Sequence, residues 1–288
     1  MKEQTLIKKQ AAKAFHVKEE EIIVKHRFLG GMSHLTYLIE VHGELYSYRI
    51  IGKDGNLFVD RKIEFENINL VKPLNINNET VYFDVETGEK AAHYVEGEVL
   101  STLDFRPHLN QVAKLLKKLH TTKFENAHDY GLIKRLDLYE TYTDLRSPLY
   151  LELKNAWIQM YQESHVHKPK VFCHNDAQRS NMVIGKKQIY LLDWEYAGLN
   201  EFYYDIASFG NVKFEDALEL LDAYLERKAT IEEINSVRFY RMFQALQWHQ
   251  VALRKEMIGL SPILKIDFKF FADKYLELAN RLYLEIKG

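Results

Sequence analysis

The chain has 288 residues, 47% hydrophobic and 28% charged, a balance that belongs to a folded globular protein and not to a disordered one. Its 39 basic and 41 acidic side chains leave a formal charge of -2, so overall charge draws it neither to nucleic acid nor to an anionic membrane. The single cysteine, Cys173, excludes an internal disulfide and suits a reducing cytoplasm, and no apolar run reaches the ~18–20 residues that span a bilayer. Residues 2–15 carry no apolar signal core and predict a short amphipathic helix. "EIIVKHRFL" reads as a strand ending at Gly30-Gly31, and "HLTYLIEV" and "LYSYRII" flank "HGE" as a hairpin. Asp60 is a plausible N-cap for a helix through "RKIEFENINLV" that stops at Pro73. "TVYFDVETGEKAAHYV" predicts a second hairpin turning at Thr87-Gly88.

Beyond "EGEVLS" the periodicity becomes helical, as Leu109, Val112, Leu115, Leu116 and Leu119 show. The joint falls near Glu96-Gly97, giving a small β-rich lobe over residues 1–95 and a larger, mainly α-helical lobe over 96–288.

Within the helical part, "HNDAQRSNMVIGKKQIYLLDW" predicts one hairpin. If its strands fold about Lys187, paired residue numbers sum to 374 and Asn181 faces Asp193. Directly opposed residues hold their Cβ atoms roughly 4.5–5.5 Å apart, close enough for an amide oxygen and a carboxylate to share one hard cation such as Mg²⁺. Asp176 lies in the loop leading into the same strand, where a carboxylate can orient and deprotonate a hydroxyl. Taken singly, each of these residues also fits an ordinary turn or strand-end role.

"HNDAQRSN", "LLDWEYAGLNEFYYDIA", "LGGMSHLTYLIEV", "YSYRIIG", "DRKIEFEN" and "HYVEGEVLS" together resemble the choline/ethanolamine kinase family, over roughly residues 22–211. That family stands with the aminoglycoside phosphotransferases and has a bilobal α+β, protein-kinase-like fold. The resemblance implies ATP-dependent transfer of phosphate to a small-molecule alcohol, with Asp176 as base and Asn181 and Asp193 holding Mg²⁺. It further implies that Gly30, Gly31 and Ser33 line the nucleotide loop and that Arg49 contacts phosphate while Glu64 holds it. Tyr94 and Val95 then meet adenine at the hinge, and Asp205 braces the catalytic loop.

Nine acids and one base, Lys213, occupy residues 193–226, which would suit a cationic acceptor. However, Phe214, Ala217, Leu218, Leu221 and Leu225 form an apolar stripe that leaves Glu215, Asp216, Glu219, Asp222 and Glu226 largely on a solvated face. Glu195, Glu201 and Asp205 remain near the site. Tyr203, Tyr204 and Trp248 are the aromatic candidates for a quaternary ammonium. Val251 stands where choline kinases often carry a second tryptophan, so aminoglycoside and thiamine kinases stay as alternatives, with an inactive nucleotide-binding protein as the rival from another class. The oligomeric state is not legible.

Overall fold

The computed structural model describes residues 2–28 and 34–288. In chain order the elements are α1 (Lys2–Phe15), β1 (Ile22–Arg27), β2 (His34–Val41), β3 (Glu44–Ile51), α2 (Arg61–Val71), β4 (Thr80–Phe83), β5 (Lys90–His93) and β6 (Gly97–Val99). There follow α3 (Leu109–Thr121), α4 (Leu132–Glu140), α5 (Pro148–Ser164), β7 (Val171–Cys173), β8 (Met182–Gly185), β9 (Ile189–Leu191) and β10 (Gly198–Asn200). The chain ends in α6 (Tyr203–Phe209), α7 (Phe214–Leu225), α8 (Ile231–Met257), the single turn α9 (Ser261–Leu264) and α10 (Phe268–Lys287). Among the described residues no helix is long and apolar enough to cross a membrane.

Two compact units result. The first comprises Met1–Leu103 with Ser180–Tyr196, and the second Asp104–Arg179 with Ala197–Gly288. The break after Leu103 lies past the Glu96-Gly97 joint expected from sequence. The reason is that β6 is already committed to sheet pairing in the first unit, antiparallel to β8.

The first unit is built on an antiparallel sheet of order β1-β2-β3-β5-β4. The β2–β3 hairpin turns at His42-Gly43, both with positive φ, as a tight turn requires. Helix α1 buries Ile7, Ala11 and Ala14 against Ile22, Ile39, Val41 and Tyr48, so its expected amphipathic face has a sheet to cover. Asp60 caps α2, its carboxylate accepting from the Lys62 and Ile63 amides at 3.0 and 3.1 Å. That cap fixes where α2 starts and therefore which of its turns faces the sheet.

The β8–β9 ribbon corrects the expected register. Met182 pairs with Leu191 and Ile184 with Ile189, so paired numbers sum to 373. The Gly185 amide donates to the Gln188 carbonyl at 3.0 Å, leaving only Lys186-Lys187 as the loop. A two-residue loop is the most compact hairpin closure and sets the pairing one residue away from a turn centred on Lys187. Asn181 consequently faces Leu192, whose amide donates to the Asn181 carbonyl at 2.7 Å, and Asp193 lies beyond the pairing with a φ of 67°.

In the second unit the long helix α8 is buried along most of its length and packs on α4, α5, α6 and α10. Residues 171–173 and 198–200 form a two-stranded antiparallel sheet that the sequence did not announce. Helix α7 also differs from expectation. Its buried face is Asp216, Ala217, Leu220, Leu221 and Tyr224, not the stripe through Phe214, Leu218 and Leu225. Asp216 is therefore no solvated acid; it is buried and pairs with Arg179 at 3.0 Å.

Candidate active site

The polar centre of the first unit forms around Arg49 on β3. Arg49 is 4% exposed, and its guanidinium meets Glu64 of α2 through two parallel bonds, Nη1 to Oε1 at 2.7 Å and Nη2 to Oε2 at 2.9 Å. The fork of a guanidinium matches both carboxylate oxygens, which is why Arg rather than Lys suits this contact. Nη1 also reaches Asp193 Oδ1 at 3.3 Å, and Nη2 donates to the Gly88 carbonyl at 3.0 Å. Burial would raise the Glu64 carboxyl, but Arg49 and Lys90 outweigh it and hold its pKa down to about 2. Burial likewise works against the Arg49 cation, and Glu64 reverses this, so Arg49 stays charged.

A second arginine, absent from the expected site, extends the network. Arg61 bridges Glu64 Oε2 at 2.6 Å and Glu195 Oε2 at 2.8 Å through one nitrogen. Its other nitrogens donate to Asn56 Oδ1 and the Gly55 carbonyl, tying down the loop before α2. Glu195 also meets His34 Nε2 at 2.8 Å. Burial alone would push the Glu195 carboxyl up; His34, Arg61 and Arg49 together hold it well below the usual range. Glu195 was expected to face a cationic acceptor. Instead its charge is spent inside the protein on Arg61 and His34, which follows from its place two residues after Asp193 and opposite α2.

Asp193 is the least enclosed of these carboxylates, with a third of its side chain exposed, and among the described residues its one ion pair is the 3.3 Å contact with Arg49. Trp194 beside it is buried and anchored by its indole N–H on the Leu191 carbonyl at 3.0 Å. A buried indole between two acids fixes where both point. His34, Asp193 and Glu195 bring possible ligand atoms within 4.8 Å of one another. Glu195 is already paired with His34 and Arg61, whereas Asp193 is the most exposed of the three and could hold a cation. Asn181 sits in a short 3-10 turn immediately before β8 and is half-buried.

The remaining nucleotide-side candidates divide. Tyr94 and Val95 line a cleft of about 430 Å³ together with Glu79, His93, Lys186 and Tyr190. The Tyr94 ring lies nearly parallel to Phe28, with centroids 6.0 Å apart. Gly30, Gly31 and Ser33 lie outside the described residues.

The second unit holds the loop after β7. Asp205 on α6 is fully buried and accepts the His174 amide at 2.8 Å on one oxygen and the Asn175 amide at 2.7 Å on the other. His120 of α3 meets it at 3.0 Å and is itself held by the Tyr224 hydroxyl. Asn175 takes a positive φ of 59° and is clamped by the Asn200 amide at 2.9 Å. These bonds hold a strained backbone in place, and Asp176 follows directly after it. Asp176 is half-buried, and Gln178 Nε2 donates to both of its oxygens at 2.9 and 3.0 Å. Gln178 is in turn fixed by Asn211 at 2.6 Å. Asp176 is thus an oriented, partly accessible carboxylate. Cys173 is the buried small hydrophobe expected of it, its thiol pushed up by burial.

The aromatic and acidic candidates of this unit fare unevenly. Tyr203 and Trp248 are half-buried, the Tyr203 ring packing on Phe202 with centroids 4.0 Å apart, whereas Tyr204 is 1% exposed and its hydroxyl is tied to Tyr130 at 3.0 Å. Glu201 is also withdrawn, since it accepts from Tyr240 at 2.6 Å and pairs with His165 at 2.8 Å. Neither residue could have been separated from its half-buried neighbours by pattern alone, because each lies beside one in the sequence.

The family model described as Choline/ethanolamine kinase matches residues 25–277. Protein LicA of Haemophilus influenzae is 24% identical over 275 residues, which is 90% of this chain and 79% of that protein. Among solved structures, the choline kinase LicA from Streptococcus pneumoniae superposes with a TM-score of 0.81 at 21% identity, covering 99% of this chain and 100% of that one. The GDP complex of aminoglycoside 2'-phosphotransferase-IIIa superposes with a TM-score of 0.66 at 14% identity, covering 96% and 99%. These likenesses establish the fold as α+β and protein-kinase-like. The chain belongs to the choline/ethanolamine kinase family and is a phosphotransferase that acts on an alcohol group.

Proposed function

We propose that the chain transfers the γ-phosphate of ATP to the hydroxyl of a small cationic amino alcohol, choline or a close relative. The observation that carries this reading is the buried Arg49–Glu64 pair with Asp193 at its edge, an arrangement that keeps a permanent cation beside a carboxylate still open to a metal ion. Phosphoryl transfer asks the protein mainly for positioning and charge compensation, which such a cluster supplies. In this reading Arg49 contacts phosphate and Glu64 holds its guanidinium. Gly30, Gly31 and Ser33 cradle the nucleotide, and Tyr94 and Val95 meet its base.

Asp193 and Asn181 would hold Mg²⁺. Their carboxylate and amide oxygens are the hard donors that ion prefers, and the exposure of Asp193 leaves room for it. When bound, Mg²⁺ would neutralise phosphate charge. Asp176 takes the proton from the acceptor hydroxyl, with Gln178 keeping its carboxylate oriented. Tyr203 and Trp248, both half-buried, would meet the acceptor's ammonium group.

ADP release measured with a panel of choline, ethanolamine, thiamine and aminoglycosides tests the acceptor. Turnover is expected with choline or ethanolamine, at a kcat/KM at least ~10-fold above the rest, the scale on which one desolvated cation–π contact discriminates. Preference for thiamine or an aminoglycoside would overturn the amino-alcohol reading in favour of those alternatives.

A further inference from the structure

Lys90 stands in the first unit's polar centre without a role in the reading above beyond its charge beside Glu64. It opens β5 directly opposite Arg49 in the sheet, so both side chains rise from the same face. Its side chain is 13% exposed, and among the described residues its ammonium touches only Glu64 Oε1, at a long 3.5 Å. Glu64 does not need it. That carboxylate already accepts three shorter bonds, two from Arg49 and one from Arg61. A buried ammonium has three donors to satisfy, and desolvating it for one long contact is unfavourable unless a further anion completes the set.

Charge count points to the identity of that anion. Arg49, Arg61 and Lys90 stand against Glu64, Glu195 and Asp193, so the cluster is balanced as it is, His34 aside. A divalent cation at Asp193 would leave it two charges positive. At the same time both Nη groups of Arg49 already serve Glu64, Asp193 and the Gly88 carbonyl, which leaves its Nε as the donor still open to a phosphate. Arg61 is similarly committed. Lys90 holds further unused donors on its ammonium group. Burial and the neighbouring Arg49 lower its pKa, the expected behaviour of a cation lacking its full complement of anions.

We propose that Lys90 is a second polyphosphate-binding residue, donating to the β- or γ-phosphate of the nucleotide beside Arg49. The inference rests on the kinase reading above and adds a contact to it.

Equilibrium binding of ATP with Mg²⁺, and of AMP, to the full chain and to its Lys90→Met and Lys90→Arg variants tests this. Lys90→Met should weaken ATP binding roughly 10- to 100-fold, the range of a charge-assisted hydrogen bond, and leave AMP binding within about twofold. Lys90→Arg should restore most of the ATP affinity. Because the lysine is poorly compensated, Lys90→Met should melt no lower than the wild-type chain; should it fail to fold, Lys90→Gln takes its place with the same expectation. Equal loss of ATP and AMP affinity, or no loss of either, would overturn the role of Lys90 while leaving the kinase reading intact. If the wild-type chain bound no ATP, that reading would fall first and Lys90's role with it.

Discussion

Asp176→Asn is expected to lower kcat for phosphoryl transfer by about 10²- to 10⁴-fold, the contribution typical of a positioned general base, with the dissociation constant for ATP changed by less than about threefold. The substitution keeps the size of the side chain and removes the proton acceptor. Gln178 Nε2 can go on donating to the amide oxygen left at position 176 while its own Oε1 still accepts from Asn211. The bonds from Asp205 that shape the loop run to the amides of His174 and Asn175 and are untouched. The loss should therefore fall on kcat and not on folding or nucleotide binding, a split read by steady-state kinetics beside a nucleotide titration. Wild-type turnover in this variant would take the base role away from Asp176.

The second large effect concerns stability. Arg61→Met keeps much of the side chain's length and removes its charge, leaving Glu195 to His34 alone, taking one partner from Glu64 and freeing the Gly55 carbonyl. Removing one member of a buried ion network strands the others at a cost of about 3–5 kcal/mol. In a domain this large that corresponds to a fall in melting temperature on the order of 10 °C, measurable by calorimetry. Exposed pairs such as Lys269–Asp273 provide the contrast, since breaking them should cost under ~1 kcal/mol. A melting temperature within a degree or two of wild type would show that the Arg61 bridge is not part of what holds α2 to the Asp193 segment.

How much of this was legible beforehand depends on the range of the interaction. Local signals were faithful. The Asp60 cap, the His42-Gly43 turn and the α3 stripe are each written in a few adjacent residues, and the structure shows them in place. The pairing of Arg49 with Glu64 came from the family resemblance, and the 2.7 and 2.9 Å contacts give it physical form. The hairpin was recognised as a hairpin but placed one residue out of register, because whether one lysine or two form the loop is a matter of turn geometry that composition does not encode. Arg61, Lys90 and His120 were invisible for a different reason. Each acts through residues distant in sequence, and an isolated basic residue in a helix or strand carries no pattern of its own. Glu195, Glu201 and Asp216 looked available for the same reason, since their partners lie elsewhere in the chain.

The account stands or falls on where the phosphoryl group goes. Phosphorus NMR of the wild-type chain incubated with ATP, Mg²⁺ and choline or ethanolamine should show ADP and a new phosphomonoester rising together in equal amounts, with no release of inorganic phosphate. ATP consumed to ADP and free phosphate with no ester formed, or ATP left unchanged in the presence of both acceptors, would contradict it.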